Sequence, residues 1–311
     1  NTTTGALDAS AGTGSKQIVL TTSGSSTNPN GFPLRNSSAS VTTNGAYMVI
    51  KPGTHTLRVR YWVKDNATGT KGTITKTLPA TAYASNTYYD MTANLNVRNY
   101  DGDKYYMWDA QKQYWKGHEW NLGGSQPTLM TQSASSDYPQ NSSDTNNRWY
   151  HEGGGSGRFD ATQGCAGLPN VNEMTWYAAK GEPRWDGDEL WTTMGHLYKG
   201  GMWFKKKANI SGFDANTAVD GTDWRTNGGG SNWSVSQTPP DAADANNYFY
   251  LPALGYYNSG QLGSVGYYGN YWSSSADPWV SYGAYILNFS SGGVYVYSNG
   301  RSYGFRAESL Q

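Results

Sequence analysis

The chain has 311 residues, room for two ordinary domains, and its 39 glycines and 25 tyrosines among many Ser, Thr and Asn favour strands and loops over helices. Its 23 basic and 23 acidic side chains cancel, which removes the electrostatic footprint that a nucleic-acid partner or an anionic membrane surface would require. The single thiol, Cys165, has no partner for an internal disulfide, and no apolar run approaches the roughly twenty residues of a membrane span, so direct insertion is not expected.

Residues 1–15 are polar and carry no hydrophobic signal region. Enrichment in Tyr and Trp, with few Lys and Glu, leans towards an exported binding protein whose leader is absent from this chain. From the start to about Val97 the pattern has period two. The clearest strand is predicted over residues 56–64, with Leu57, Val59, Tyr61 and Val63 on one face and Arg58, Arg60, Trp62 and Lys64 on the other. Asp65-Asn66-Ala67-Thr68-Gly69 supplies turn chemistry, residues 72–78 return as a Thr-rich strand, and Met91, Ala93, Leu95 and Val97 alternate again. With residues 17–22 and 46–50 this predicts at least five strands, a small β-sandwich over residues 1–98.

Composition shifts at Asn99-Tyr100-Asp101-Gly102-Asp103, after which tryptophan becomes frequent, and a second domain is placed over residues 99–311. Two helices are predicted in it. Asn170 or Asn172 caps the first, Glu173 lies in its first turn, Met174, Tyr177 and Ala178 form its apolar stripe, and Gly181 stops it. The second is expected to open at residues 186–188, bury Leu190, Trp191, Met194, Leu197 and Tyr198, and end at Gly200-Gly201. Residues 212–245 are mostly loop signal, and such long irregular connections usually carry function. The fold class is therefore mostly β, with an α+β C-terminal part.

After residue 266 short strands dominate. Trp272-Ser273-Ser274-Ser275, Ala284-Tyr285, Leu287-Asn288-Phe289, Arg301 and Gly304-Phe305 alternate with runs of Tyr, Ser, Gly, Asn and Val. Together with Trp108-Asp109, Gly167-Leu168-Pro169 and Leu251-Pro252-Ala253, these landmarks resemble the C-type-lectin-fold domains of Bacteroidetes surface proteins, and most closely the variable proteins of diversity-generating retroelements, whose relatives include phage tropism determinants. The likeness covers about two thirds of the chain, from roughly Tyr100 onward. The N-terminal part is similar in outline to fimbrillin-type pilus subunits. Relatives often follow Gly-Phe with an apolar residue, Arg, then Cys or Pro; here Arg306-Ala307-Glu308-Ser309 follows instead.

The resemblance implies diversification of Asn codons of the form AAC by adenine mutagenesis. Codons ending in C never encode Trp, Met, Lys, Glu or Gln. Across residues 273–305 those types occur once, as Trp279, where about five would be expected from background usage. The implied binding face is Asp277, Val280, Ser281, Tyr282, Ile286, Ser290, Gly293, Tyr295, Tyr297, Ser298, Asn299, Ser302 and Tyr303. Tyrosine suits such a face because it offers a large, fairly rigid contact area with a polar tip, while Ser, Gly and Asn adapt their hydrogen bonds. Alternation turns Val294 and Val296 inward and Tyr295 and Tyr297 outward. Trp272, Ala284, Leu287, Phe289 and Phe305 are expected in the core, with Arg301 and Arg306 tying the frame together.

Enzyme signatures are missing. Formylglycine-generating enzymes share the fold, but their paired cysteines are absent and Cys165 stands alone, which suits a buried structural thiol. His55, His118, His151 and His196 show no metal-ligand spacing. Asp101-Gly102-Asp103, Asp186-Gly187-Asp188-Glu189 and Asp220-Gly221-Thr222-Asp223 could each hold calcium, yet Asp-Gly is also common turn chemistry. No cofactor is expected. The sequence reads as a non-enzymatic cell-surface or pilus adhesin, extracellular, whose partners are a protein or glycan receptor on another cell, host or phage target, and pilus subunits through the N-terminal domain. A phage tail receptor-binding protein and a calcium-dependent lectin module are the alternatives.

Overall fold

The computed structural model describes residues 18–23, 29–33 and 40–311. The chain is mostly β, with 33% strand against 8% helix. It divides into two compact units, one drawn from residues up to Trp62 and Thr73–Asn96, the other from Val63–Gly72 and Val97–Gln311.

The first unit holds a short helix, α1 (Val41–Asn44), and most of strands β1 (Gly53–Lys64) and β2 (Lys71–Tyr83), which pair as a two-stranded sheet. Burial alternates along β1 as the apolar pattern requires: Leu57, Val59 and Tyr61 are half-buried and Val63 is buried, while Arg58, Arg60, Trp62 and Lys64 face solvent. The expected sandwich is not found among the described residues. Residues 18–22, 46–50 and 91–97 adopt no strand, and Gln17 lies outside the described residues. Alternation records which side chains could share a face, but a strand forms only where a neighbour completes its backbone hydrogen bonds. In residues 91–97 local chemistry intervenes, because the Asn94 carboxamide accepts the Asn96 amide at 3.0 Å and Asn96 takes a left-handed φ of 52°.

In the second unit, the tip between β1 and β2 is a turn of the predicted chemistry. The Asp65 carboxylate accepts the amides of Ala67 and Thr68, and also the Leu197 amide at 2.9 Å, while the Thr68 hydroxyl donates to the Leu197 carbonyl at 2.8 Å. These backbone donors hold the Asp65 carboxyl below its usual pKa despite its partial desolvation.

Two sheets build the rest of this unit. Strands β3 (Arg98–Tyr100), β5 (Arg184–Thr193), β6 (His196–Lys205) and β8 (Tyr248–Pro252) form a four-stranded sheet in the order β3-β5-β6-β8. Strands β4 (Tyr105–Tyr106), β14 (Phe305–Arg306), β11 (Gly269–Ala276), β12 (Gly283–Ser290), β13 (Gly293–Gly300) and β7 (Ser231–Trp233) form a six-stranded one, in that order. A two-stranded ladder joins β9 (Tyr256–Asn258) to β10 (Gln261–Gly263). Helix α2 (Val171–Lys180) packs on β6, β11, β12 and β13, and a single turn, α3 (Trp224–Asn227), packs beside it.

Helix α2 begins where its sequence says. Asn170 accepts the Glu173 amide at 3.1 Å and Glu173 returns to the Asn170 amide at 2.9 Å, a reciprocal capping box, and Gly181 closes the far end. The second predicted helix is instead the β5–β6 hairpin. Its apolar residues fit a helical period, but Met194 and Gly195 both take positive φ, 47° and 76°, and form the two-residue turn between Thr193 and His196. Paired strands bury Trp191, Thr193, Met202 and Phe204 more completely than one isolated helix could, and the Asp186-Gly187-Asp188 stretch becomes a bulge in β5 rather than a first helical turn. Close approach also fixes one glycine in the six-stranded sheet: a Cβ on Gly269 would stand 2.1 Å from the Phe289 ring. Replacing Asn170 with Ala should destabilise this unit by about 1 kcal/mol, read as a lower urea midpoint with an unchanged slope.

Candidate binding face

The six-stranded sheet has two unlike faces. Tyr285, Leu287, Phe289, Val294 and Val296 point towards α2 into a core that also takes Met174, Tyr177 and Phe204. On the other side Trp272, Ala284, Ile286 and Phe305 join Trp108 and Cys165 in a second buried cluster, against which Tyr256, Tyr297 and Tyr303 pack. Register explains the layering. Ile286 stands opposite Trp272 on one neighbour and Tyr297 on the other, while Asn288 stands opposite Asn270 and Tyr295. Val294 and Val296 are fully buried and Tyr295 is 37% exposed, so the parity of β13 is as alternation predicts.

The thirteen residues singled out from sequence divide by depth. Tyr282, Ser281 and Ser302 are exposed at the loop end of the sheet, Tyr295 is exposed on β13, and Val280, Ser290, Tyr297, Ser298, Asn299 and Tyr303 are half-buried. Ile286, Gly293 and Asp277 do not belong to the surface. Ile286 is 0% exposed because it lies on the central strand β12, beneath the tyrosines. Gly293 is buried where β13 meets Trp233 of β7. Asp277 turns its carboxylate into its own loop, accepting the amides of Trp279 and Val280 at 2.8 and 3.1 Å.

That Asx turn has an effect the sequence reading passed over. It carries Trp279 outward to 73% exposure, its ring lying over the backbone of Gly228, in the same loop as Tyr282 at 68%. Tyr267 and Tyr268 are also exposed. Tyr268, Tyr256 and Tyr303 lie near enough to Tyr297 to act with burial, the larger cause, in raising its phenol pKa. Sequence placed none of them on the face: the paired tyrosines stand before the first fixed-looking piece, and Trp279 is a type that codons ending in C never encode.

The frame under the face is polar as well as apolar. Arg301 is 1% exposed; its guanidinium donates to the carbonyls of Gly283, His151 and Gly153 at 3.0, 3.0 and 2.9 Å and sits 4.5 Å from the centre of the Trp108 ring. Burial pulls its pKa down. Asp109, also fully buried, accepts the amides of Thr162, Gln163 and Cys165 and meets His151 Nδ1 at 2.9 Å. Cys165 accepts the Asp109 amide at 3.2 Å, and burial raises its thiol far above the range where a thiolate forms, which suits a structural role.

The carboxylate clusters also serve local structure. Asp186 accepts the Glu189 amide and the Trp203 indole, Asp101 the Asp103 amide, Asp220 the Trp224 indole, and Asp223 caps α3 while pairing with Arg225. Chemically, the face offers phenol rings, hydroxyls and carboxamides on a paired and packed sheet, groups that can hold a partner by shape and hydrogen bonds. No protein-family model, curated protein or solved structure matches the chain.

Depth makes two predictions. Ile286→Ala should destabilise the unit by about 2–5 kcal/mol, as core truncations do, whereas Tyr295→Ala should stay within about 1 kcal/mol; chemical denaturation of both variants decides it. Arg301→Leu removes the side-chain donor to the half-buried carbonyls of His151 and Gly153 and one of two donors to that of Gly283, and a loss of about 1–3 kcal/mol is expected in the same assay.

Proposed function

We propose that the chain is a non-enzymatic adhesin of the cell surface or a pilus, whose second unit has a C-type-lectin fold and displays a hypervariable ligand-binding surface of the kind diversified by retroelements. The observation that carries this reading is a separation of tiers: ten of the thirteen residues of variable type are exposed or half-buried, all but Asp277, Ile286 and Gly293, while the fixed-looking pieces Trp272, Ala284, Leu287, Phe289, Arg301 and Phe305 are buried beneath or behind them. Pairing of β4 near the start of the unit with β14 near its end, and the packing of α2 on the sheet, support the fold assignment. The outer side chains match those of antibody paratopes in type, large rigid phenols among adaptable small polar groups.

Its partner on this reading is a protein or glycan on another cell, host or phage target, met outside the cell, with the first unit serving attachment. Among the described residues no helix is long and apolar enough to cross a membrane. Two measurements test the proposal. Beads coated with the full chain should adhere to at least one member of a panel of bacterial and host cells, and the variant with the exposed Tyr282 and Tyr295 replaced by Ala should lose at least tenfold in adherent beads while keeping its circular dichroism. Equal adhesion by the variant would refute the site. The neighbouring DNA should hold a near-copy of the segment for residues 273–305, differing at adenines, beside a reverse transcriptase; its absence would remove the diversification.

A further inference from the structure

The two sheets of the second unit each end in a short strand, β3 in one and β4 in the other. A cleft of about 580 Å³ opens there, lined by Arg98, Asn99 and Tyr100 of β3, by Lys104 and Tyr106 at β4, and by the segment after β14 that includes Glu308. Its volume lies in the range of small-ligand sites. Nothing assigned to the tyrosine face uses it.

The lining carries two cations, Arg98 and Lys104, and two anions, Asp101 and Glu308, which differ in how they are partnered. Glu308 is paired with Arg306, itself fully buried, and Asp101 uses its carboxylate to accept the Asp103 amide at 2.8 Å. The two cations are in the opposite condition. Among the described residues neither Arg98 nor Lys104 has a carboxylate partner; both are exposed, and the Arg98 guanidinium rests 4.8 Å from the centre of the Tyr100 ring. That stacking holds the guanidinium plane while leaving its edge donors free. Asn99 uses its carboxamide oxygen to accept the Thr192 hydroxyl at 3.0 Å, which leaves its NH2 group as a further donor.

We propose that this cleft is a second binding site, selective for a carboxylate on a small polar ligand. Arg98 takes the carboxylate through two parallel hydrogen bonds, Lys104 adds a second positive charge, and the amide of Asn99 and the phenol of Tyr106 meet neighbouring polar groups of the ligand. A planar carboxylate matches the guanidinium fork, as a neutral hydroxyl compound does not. Such a carboxylate can come from an acidic sugar or from the end of a peptide chain, and the chemistry of the cleft serves both.

The test is calorimetric titration of the full chain at low salt with glucuronate, N-acetylalanine and, as the neutral control, glucose. At least one of the two carboxylates should bind saturably and glucose should not; glucuronate alone identifies a saccharide source, N-acetylalanine alone a chain terminus, and both together the carboxylate itself. Arg98→Gln should weaken the interaction at least about tenfold and Lys104→Gln by a smaller factor, in keeping with loss of a bidentate and a single charge contact. Both side chains are exposed, so thermal melting should be unchanged in each variant, and Tyr295→Ala should bind like the parent chain. The proposal is overturned if neither carboxylate saturates, if glucose binds as well, or if both charge-neutralised variants retain full affinity.

Discussion

A single buried guanidinium organises the second unit. Arg301 draws the carbonyls of His151, Gly153 and Gly283 to one point, its own amide donates to the Tyr282 carbonyl at 2.9 Å, and its own carbonyl accepts the Trp108 amide at 2.8 Å. Segments distant in sequence are thereby fixed against the end of β12. A charge buried to this degree is costly without well-placed acceptors, and the planar fork serves three carbonyls through Nε and Nη1 while lying over an indole. Lysine would offer a point charge without the plane.

Asp109 is the matching anion for the neighbouring irregular segment. Apart from a bridge at Asp160, no helix or strand is found between β4 and α2, so the backbone groups there cannot be satisfied by ladders. Three amides from residues 162–165 converge on the Asp109 carboxylate instead, and Asp109 takes a positive φ of 51° to receive them. Arg301 and Asp109 are joined through His151, whose carbonyl serves the first and whose ring serves the second. These two side chains tie residues 151–153 and 162–165 to the frame, and Gly157, between them, donates to the Pro278 carbonyl at the loop end of the sheet at 2.7 Å.

How much of this could be read beforehand follows from the range of each interaction. The cap of α2 was legible because both partners lie within four residues of each other, and so was the parity of β13, which is a property of any strand. The β5–β6 hairpin was not. Leu190, Trp191, Met194, Leu197 and Tyr198 satisfy a helical period, and the decision rests with β3 and β8, strands from distant sequence that pair on either side. Ile286 illustrates a subtler limit. It shares a side of the sheet with Tyr297 yet is fully buried, because depth depends on which strands flank β12, and that is not encoded locally. The cleft beside β3 and β4 was invisible for the same reason: Arg98 and Glu308 are far apart in sequence and line one cleft only in the fold.

Depth also sets how freely the outer tier can change. Tyr295 projects from β13 beside the short edge strand β7 and opposite the Asn288–Asn270 carboxamide pair, so its replacement disturbs little of the core. Tyr297 and Tyr303 are different, because they cover Ile286, Trp272 and Phe305, with Tyr303 stacked on Phe305 at 5.3 Å between ring centres. A small residue at either position would expose apolar surface at about 25 cal/mol per Å², and a charged one would sit against it without a partner. Tolerance to substitution on this surface is therefore graded. The loop residues Ser281, Tyr282 and Ser302 and the strand residue Tyr295 can vary in size and polarity, whereas Tyr297 and Tyr303 are held by packing to side chains that keep the lower tier covered.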